Sequence, residues 1–89
     1  MPEVTIKKLS EDQIRQMGIN SWPIWTKEAS TFDWSYNATE QCLILEGKVT
    51  VKTAGGEYNF GAGDFVTFAD GLSCVWTIHE GVRKHYNFI

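Results

Sequence analysis

The sequence predicts a single all-β domain of barrel or jelly-roll type, with one short helix near its N-terminus. Three observations lead there. After residue 20, apolar residues recur mostly with a period of two, as expected for strands. Glycine-centred turn signals separate these runs at short intervals. The chain has 89 residues, which is one core and no more. Residues 1–89 therefore form one unit, with 1–19 as an N-terminal strand and helix segment and 20–89 as the barrel.

The helix is expected from Ser10 to Gly18. Ser10 is a good N-cap, and Gln13 three residues on completes a capping box. Leu9 and Ile14 occupy the hydrophobic-staple positions, and Gly18 is a natural stop. Next, Glu40, Cys42 and Ile44 alternate with Gln41, Leu43 and Leu45, so both faces of that strand are partly covered. Val49 and Val51 alternate with Lys48, Thr50 and Lys52, a strand half exposed to water. Gly55-Gly56 is the expected hairpin turn, and Tyr58 and Phe60 resume the period. Gly61 to Asp64 turns again, Phe65 to Phe68 is a strand, and Ala69 to Gly71 is the following turn. Cys74, Trp76 and Ile78 share one face of the next strand. Val82, Lys84, Tyr86 and Phe88 share one face of the last.

Composition removes several functions. The net charge is −3, and Lys7-Lys8 and Arg83-Lys84 are the only adjacent basic pairs, so the basic stripe of a nucleic-acid binder is missing. The longest apolar run, Cys42 to Leu45, is far below the ~20 residues of a spanning helix, which argues against a membrane partner. Met1-Pro2-Glu3 does not read as a secretory leader. Two cysteines make no disulfide framework. A cytoplasmic location with both thiols free is the expectation. So small a domain is marginal alone, and its four Trp, three Tyr and five Phe suit a self-association surface or an aromatic pocket.

Residues 40–78 resemble the two motifs of the cupin superfamily. Glu40, six residues and Gly47 match the end of the first. Gly63, Ala69 in a proline place, Gly71 and Cys74 in a histidine place match the second. Fifteen residues separate Gly47 from Gly63, a compact spacing. The strings Phe32-Asp33-Trp34-Ser35-Tyr36, Gly63 to Phe68 and Arg83-Lys84-His85-Tyr86 are similar to one branch. That branch is the small single-domain cupins related to the ureidoglycine aminohydrolase cupin domain and to ethanolamine-utilisation cupins. The resemblance implies a cupin jelly-roll barrel, a small-molecule ligand and a homodimer. It also exposes a departure. Metal-binding cupins place histidines where this chain has Trp34, Tyr36 and Cys74, and only Glu40 of their four ligands is kept. No metal and no cofactor are therefore expected, since a divalent ion needs three or four converging donors.

Period-two geometry would gather Trp34, Tyr36, Glu40, Cys74 and Trp76 around one hollow. Glu40, Tyr36 and Cys74 are the candidate catalytic residues. Glu40 would exchange protons if desolvation favoured its neutral form; otherwise it is an inherited carboxylate pairing with an interior Lys or Tyr. Tyr36 would orient a ligand by its hydroxyl, and Cys74 would act as nucleophile only with a base or cation beside it. Trp34, Trp76, Cys42 and Lys84 are the candidate ligand-binding residues, the rings serving as walls or simply filling the barrel. Lys84, on an apolar face, would pair with Glu40 or lean out at the mouth. His79 and His85 read as surface or interface residues. The functional expectation is acid–base chemistry on a small nitrogenous or carbonyl metabolite. The alternatives are a ligand sensor, a structural homodimer with a filled barrel, and an unusual metal site built on Glu40, Cys74 and a His.

Overall fold

A computed structural model describes residues 3–89. The sequence reading of Met1 and Pro2 as leaderless lies outside those residues. The elements are β1 Val4–Lys8, α1 Glu11–Met17, β2 Ile24–Lys27, β3 Ser30–Ser35, β4 Glu40–Thr53, β5 Gly56–Gly61, β6 Asp64–Phe68 and β7 Ser73–Phe88, with a 3₁₀ turn at Ile19–Ser21. All strand pairs are antiparallel, as the all-β jelly-roll reading requires.

Two long strands carry the fold. β4 and β7 pair along most of their length, from Glu40 opposite Phe88 to Lys52 opposite Val75. The first half of β4 also pairs with β6, and its second half with β5. β7 mirrors this, pairing with β3 through residues 73–78 and with β2 through 82–85. β1 closes onto β6, so the N-terminal segment is part of the sheet and not an appendage to it. Rings from the two halves meet in one interior: Phe60, Phe68 and Trp76 lie with centroids 5.6–5.9 Å apart.

The bend that folds β4 over itself is local. Its register with β7 slips between Ile44 and Val49. Glu40, Cys42 and Ile44 are buried before the bulge and Val49 and Val51 after it, so the inward parity changes from even to odd. Gly47 sits in the bulge at φ +108°, and a Cβ there would lie 2.7 Å from the Gly81 carbonyl oxygen. Only glycine fits both the dihedral and the crossing. The sequence suggests two strands either side of Gly81; the structure joins them into β7, because Gly81 passes through the crossing without ending the pairing.

The helix forms as its caps dictate. Ser10 Oγ accepts from the Gln13 N–H, Gln13 Oε1 accepts from the Ser10 N–H, and Gly18 takes the left-handed conformation. Leu9, Ile14 and Trp22 pack with Ile19, Leu43 and Phe65 in a second, smaller cluster. That layer explains why both faces of early β4 are covered. One turn differs from expectation. The β4–β5 connection is Ala54-Gly55, with Thr53 opposite Gly56, and of the two expected glycines only Gly56 has positive φ. Thr53 Oγ1 accepts from the Gly55 N–H at 3.0 Å, which starts the turn one residue early.

Glu3 clasps this hairpin. Its carboxylate accepts hydrogen bonds from Thr53 Oγ1 and from Tyr58 Oη. The Thr53 bond first, then Tyr58, holds the Glu3 carboxyl below its ordinary value of 4.5. The same contact pushes the Tyr58 hydroxyl up.

Two outcomes follow from the geometry. Gly47→Ala adds left-handed strain and a backbone collision, so urea unfolding should show a loss of about 2–4 kcal/mol. A loss under half a kilocalorie would mean the crossing relaxes freely. The Glu3 clasp is a depressed carboxyl, so its contribution is present above its unfolded value and lost as pH falls through the folded one. Melting curves should show wild type above Glu3→Gln at neutral pH, with the gap closing below about pH 4.

Candidate functional site

A cavity of about 210 Å³ opens between the strands on the inner face of β7. That is below the ~300–1,000 Å³ of drug-sized pockets, so it suits a small metabolite. β7 supplies Trp76, Lys84, Tyr86 and Phe88, all of one parity. β2 adds Trp25, β3 adds Phe32 and Trp34, and Tyr36 and Glu40 stand on either side of the β3–β4 link. Trp34 and Phe88 are about half exposed, at 46% and 52%, and form the rim. Most of the wall is aromatic: Phe32 stacks on Trp76 at 6.0 Å and 16°, and Trp25 meets Trp76 edge-on at 6.1 Å.

Two charges lie in this apolar wall. Lys84 Nζ is 2.7 Å from Glu40 Oε2, and both side chains are almost fully buried, at 6% and 5% exposure. The ammonium also lies 5.0 Å from the Trp25 ring centroid and 4.9 Å from that of Trp76. An ammonium has three N–H donors. One serves Glu40, and the indole faces lie beside the others. Of the two expectations for Glu40, pairing is therefore what the structure shows, and Lys84 does not lean out. At 2.7 Å and an effective dielectric near 20, the attraction is about 6 kcal/mol. Desolvating two ions costs several kcal/mol each, so the pair brings little net stability. A pair that folding does not need invites a functional explanation.

Tyr36 is buried and its ring stacks on Phe68 at 4.9 Å. Its hydroxyl accepts from Trp76 Nε1 at 3.2 Å. Burial, with the Glu40 charge adding to it, drives the phenol far above its ordinary value, so it remains a hydrogen-bond donor. Its own O–H has no acceptor among the described residues.

The cysteines are not brought to this cavity. Cys42 lies wholly in the core with its thiol on the Val66 carbonyl oxygen, and burial pushes it up to about 12. Cys74 is paired with Trp34 at the start of β7 and borders a separate open depression beside Lys52, Thr53 and Ser73. Burial raises its thiol too, which works against a nucleophilic thiolate. Shared parity placed both on the inner face; position along the strand separated them from the hollow. His79 is exposed as expected, its Nε2 2.8 Å from Thr50 Oγ1. His85 is a correction: it is buried, and its Nδ1–H donates to the Trp22 carbonyl at 2.9 Å. The segment after α1 covers that outer face of β7, which local sequence does not reveal.

Four lining residues had no predicted role: Trp25, Phe32, Tyr86 and Phe88. Phe32, Tyr86 and Phe88 share parity with Trp34 and Lys84, and that signal was available. Trp25 lies on a four-residue strand, too short to establish a period.

The positions that hold metal in other cupins do not fit one here. Glu40 is engaged by an ammonium, Trp34 offers an indole, and Cys74 faces elsewhere. No group of three or more His, Cys, Asp or Glu converges among the described residues. The fixed positive charge in this cavity is the Lys84 ammonium.

Removing one partner strands a buried charge. Lys84→Met should cost about 3–5 kcal/mol in urea unfolding, and pairing it with Glu40→Leu should recover most of that loss. An equal cost in single and double variants would contradict an uncompensated-charge origin.

The chain is similar to several solved proteins. A DUF861 family protein from Thermotoga maritima is 49% identical, covers 98% of this chain and 100% of its own, and superposes with a TM-score of 0.95. A putative ethanolamine utilization protein Q from Salmonella typhimurium is 24% identical over 96% of this chain and 68% of its own, at a TM-score of 0.68. The EutQ protein of Clostridium difficile is 18% identical over 96% and 66%, at 0.69. The last two show the fold alone. No curated protein matches. The model of the EutQ-like cupin domain matches residues 15–86, most of the chain. With that match and a full-length relative of nearly half-identical sequence, this chain belongs to the EutQ-like cupin domain family.

Proposed function

We infer that this cupin binds a small nitrogenous or carbonyl metabolite in the aromatic cavity and acts on it by metal-independent acid–base chemistry. The observation that carries this reading is the Glu40–Lys84 pair, buried in the wall of an otherwise apolar hollow. Such a pair holds a proton donor and a proton acceptor within one hydrogen bond, shielded from water. The Tyr36 hydroxyl supplies a donor for a ligand oxygen, and Trp76, Trp25 and Phe32 give flat contact area. Trp34 at the rim closes part of the entrance. The hollow itself argues against a barrel filled for structure only.

A non-catalytic sensor is the second reading, favoured by one fact. Every buried side-chain nitrogen and oxygen among the described residues already has at least one hydrogen-bond partner, so the resting site holds together without a substrate. Saturable binding without turnover would select it.

The test is a thermal-shift screen of small aldehydes, ketones, amides and amines, followed by assay of any binder for conversion. A ligand at about ten times its Kd should stabilise by about 1.4 kcal/mol. For a domain of this size that is a rise in Tm of about 6–11 °C. No shift across such a panel would sink the binding reading. Glu40→Gln should abolish conversion of a binder that wild type turns over; unchanged conversion would remove Glu40 from the chemistry.

A further inference from the structure

We propose that Lys84 is a covalent site for aldehydes and ketones, forming a reversible iminium with a carbonyl ligand in the aromatic cavity. The proposal rests on the cavity binding a carbonyl compound and specifies how it is held. Three groups line that one small hollow: an amine on Lys84, a carboxylate on Glu40 and the phenolic donor of Tyr36. Each matches one requirement of carbonyl addition. Lysine is the side chain that provides an amine nucleophile when its proton can be removed locally. Glu40 Oε2 is 2.7 Å from Nζ and can take that proton without solvent. The Tyr36 O–H has no acceptor among the described residues and can polarise the carbonyl oxygen.

The step balances without a further reagent. The Lys84 ammonium passes one proton to Glu40, leaving a free amine. Its lone pair forms a C–N bond to the carbonyl carbon while the C=O π pair moves to oxygen. Glu40 returns the proton to that oxygen, giving a hydroxyl. The nitrogen, now positive with two hydrogens, gives one to Glu40. Glu40 then protonates the hydroxyl, the C–O bond breaks, water leaves and the nitrogen lone pair completes C=N. Ammonium plus carbonyl has become iminium plus water, and Glu40 is again a carboxylate.

The surroundings suit both ends of this step. Positive charge sits on Nζ before and after, beside the same carboxylate and between the faces of Trp25 and Trp76. Indole faces favour a diffuse cation as well as a compact one. Lys84 is also set apart from Lys7, Lys8, Lys48 and Lys52, whose side chains are exposed and lie outside this cavity.

The experiment uses the whole wild-type chain with propanal and sodium cyanoborohydride, which delivers hydride to an iminium carbon and fixes a propyl group on nitrogen. Peptide mapping at early times should find about ten-fold more adduct on Lys84 than on any of the four exposed lysines, because the bound carbonyl is held beside Nζ. Those lysines report that the reagents worked. Labelling confined to them, with Lys84 unmodified, overturns the proposal. A parallel melt with propanal and no reductant separates the two readings. A raised Tm with Lys84 unlabelled overturns the iminium and leaves carbonyl binding standing. Neither shift nor Lys84 label for propanal, 2-butanone and pyruvate overturns both.

Discussion

The crossing of β4 and β7 at Gly47 and Gly81 holds the rest of the molecule in place. Two strands of fourteen and sixteen residues are too long to remain flat in a domain this small. They bend at a bulge where the backbones pass so closely that a Cβ on Gly47 would meet the Gly81 carbonyl. Each half then collects its own neighbours, β6 and β2 on one side of the bend, β5 and β3 on the other. The parity change in β4 keeps apolar side chains inward on both sides of the bend. Without it, either Ile44 or Val51 would face water, and the common interior would not form.

The cavity is a product of that interior. β7 keeps one parity through its length, so Trp76 on one side of the bend and Lys84 on the other look into the same space. Glu40, at the very start of β4, reaches Lys84 from the strand alongside. Buried ion pairs cost about as much as they return. This one is retained in a wall otherwise built of rings, in a chain whose marginal size gives it little stability to spare.

The comparison with other cupins turns on charge. The family resemblance implies side-chain donors gathered around a metal ion in some members. Here the cation is part of the chain, the Lys84 ammonium, and its surroundings are one carboxylate and two indole faces. The proposed proton transfer and amine reactivity both draw on that ammonium and its carboxylate partner. The solved DUF861 protein of Thermotoga maritima, nearly half identical over its whole length, is the natural second subject for the same measurements.

Sequence alone determined the helix, the strand segments from Glu40 onward and their interior faces. Ser10, Gln13 and Gly18 dictate the helix by local hydrogen bonding, and alternation assigns Cys74, Trp76 and Ile78 to one face of a strand and Val82 and Lys84 to one face of the next, which folding joins as β7. It also placed Trp34, Tyr36, Glu40 and Trp76 around one space, because period-two geometry is a property of the backbone. Tertiary structure decided what that period leaves open. Which inward residues share a cavity depends on how far along bent strands they lie, so Cys74 falls in a different depression and Cys42 in the core. Whether Lys84 turns in or out depends on Glu40, forty-four residues away. His85 is buried by a segment more than sixty residues earlier, and Trp25 enters the wall from a strand too short to show a period. Alternation is local and survives in the sequence; pairing register, bulges and covering layers are long-range and exist only once the chain has folded.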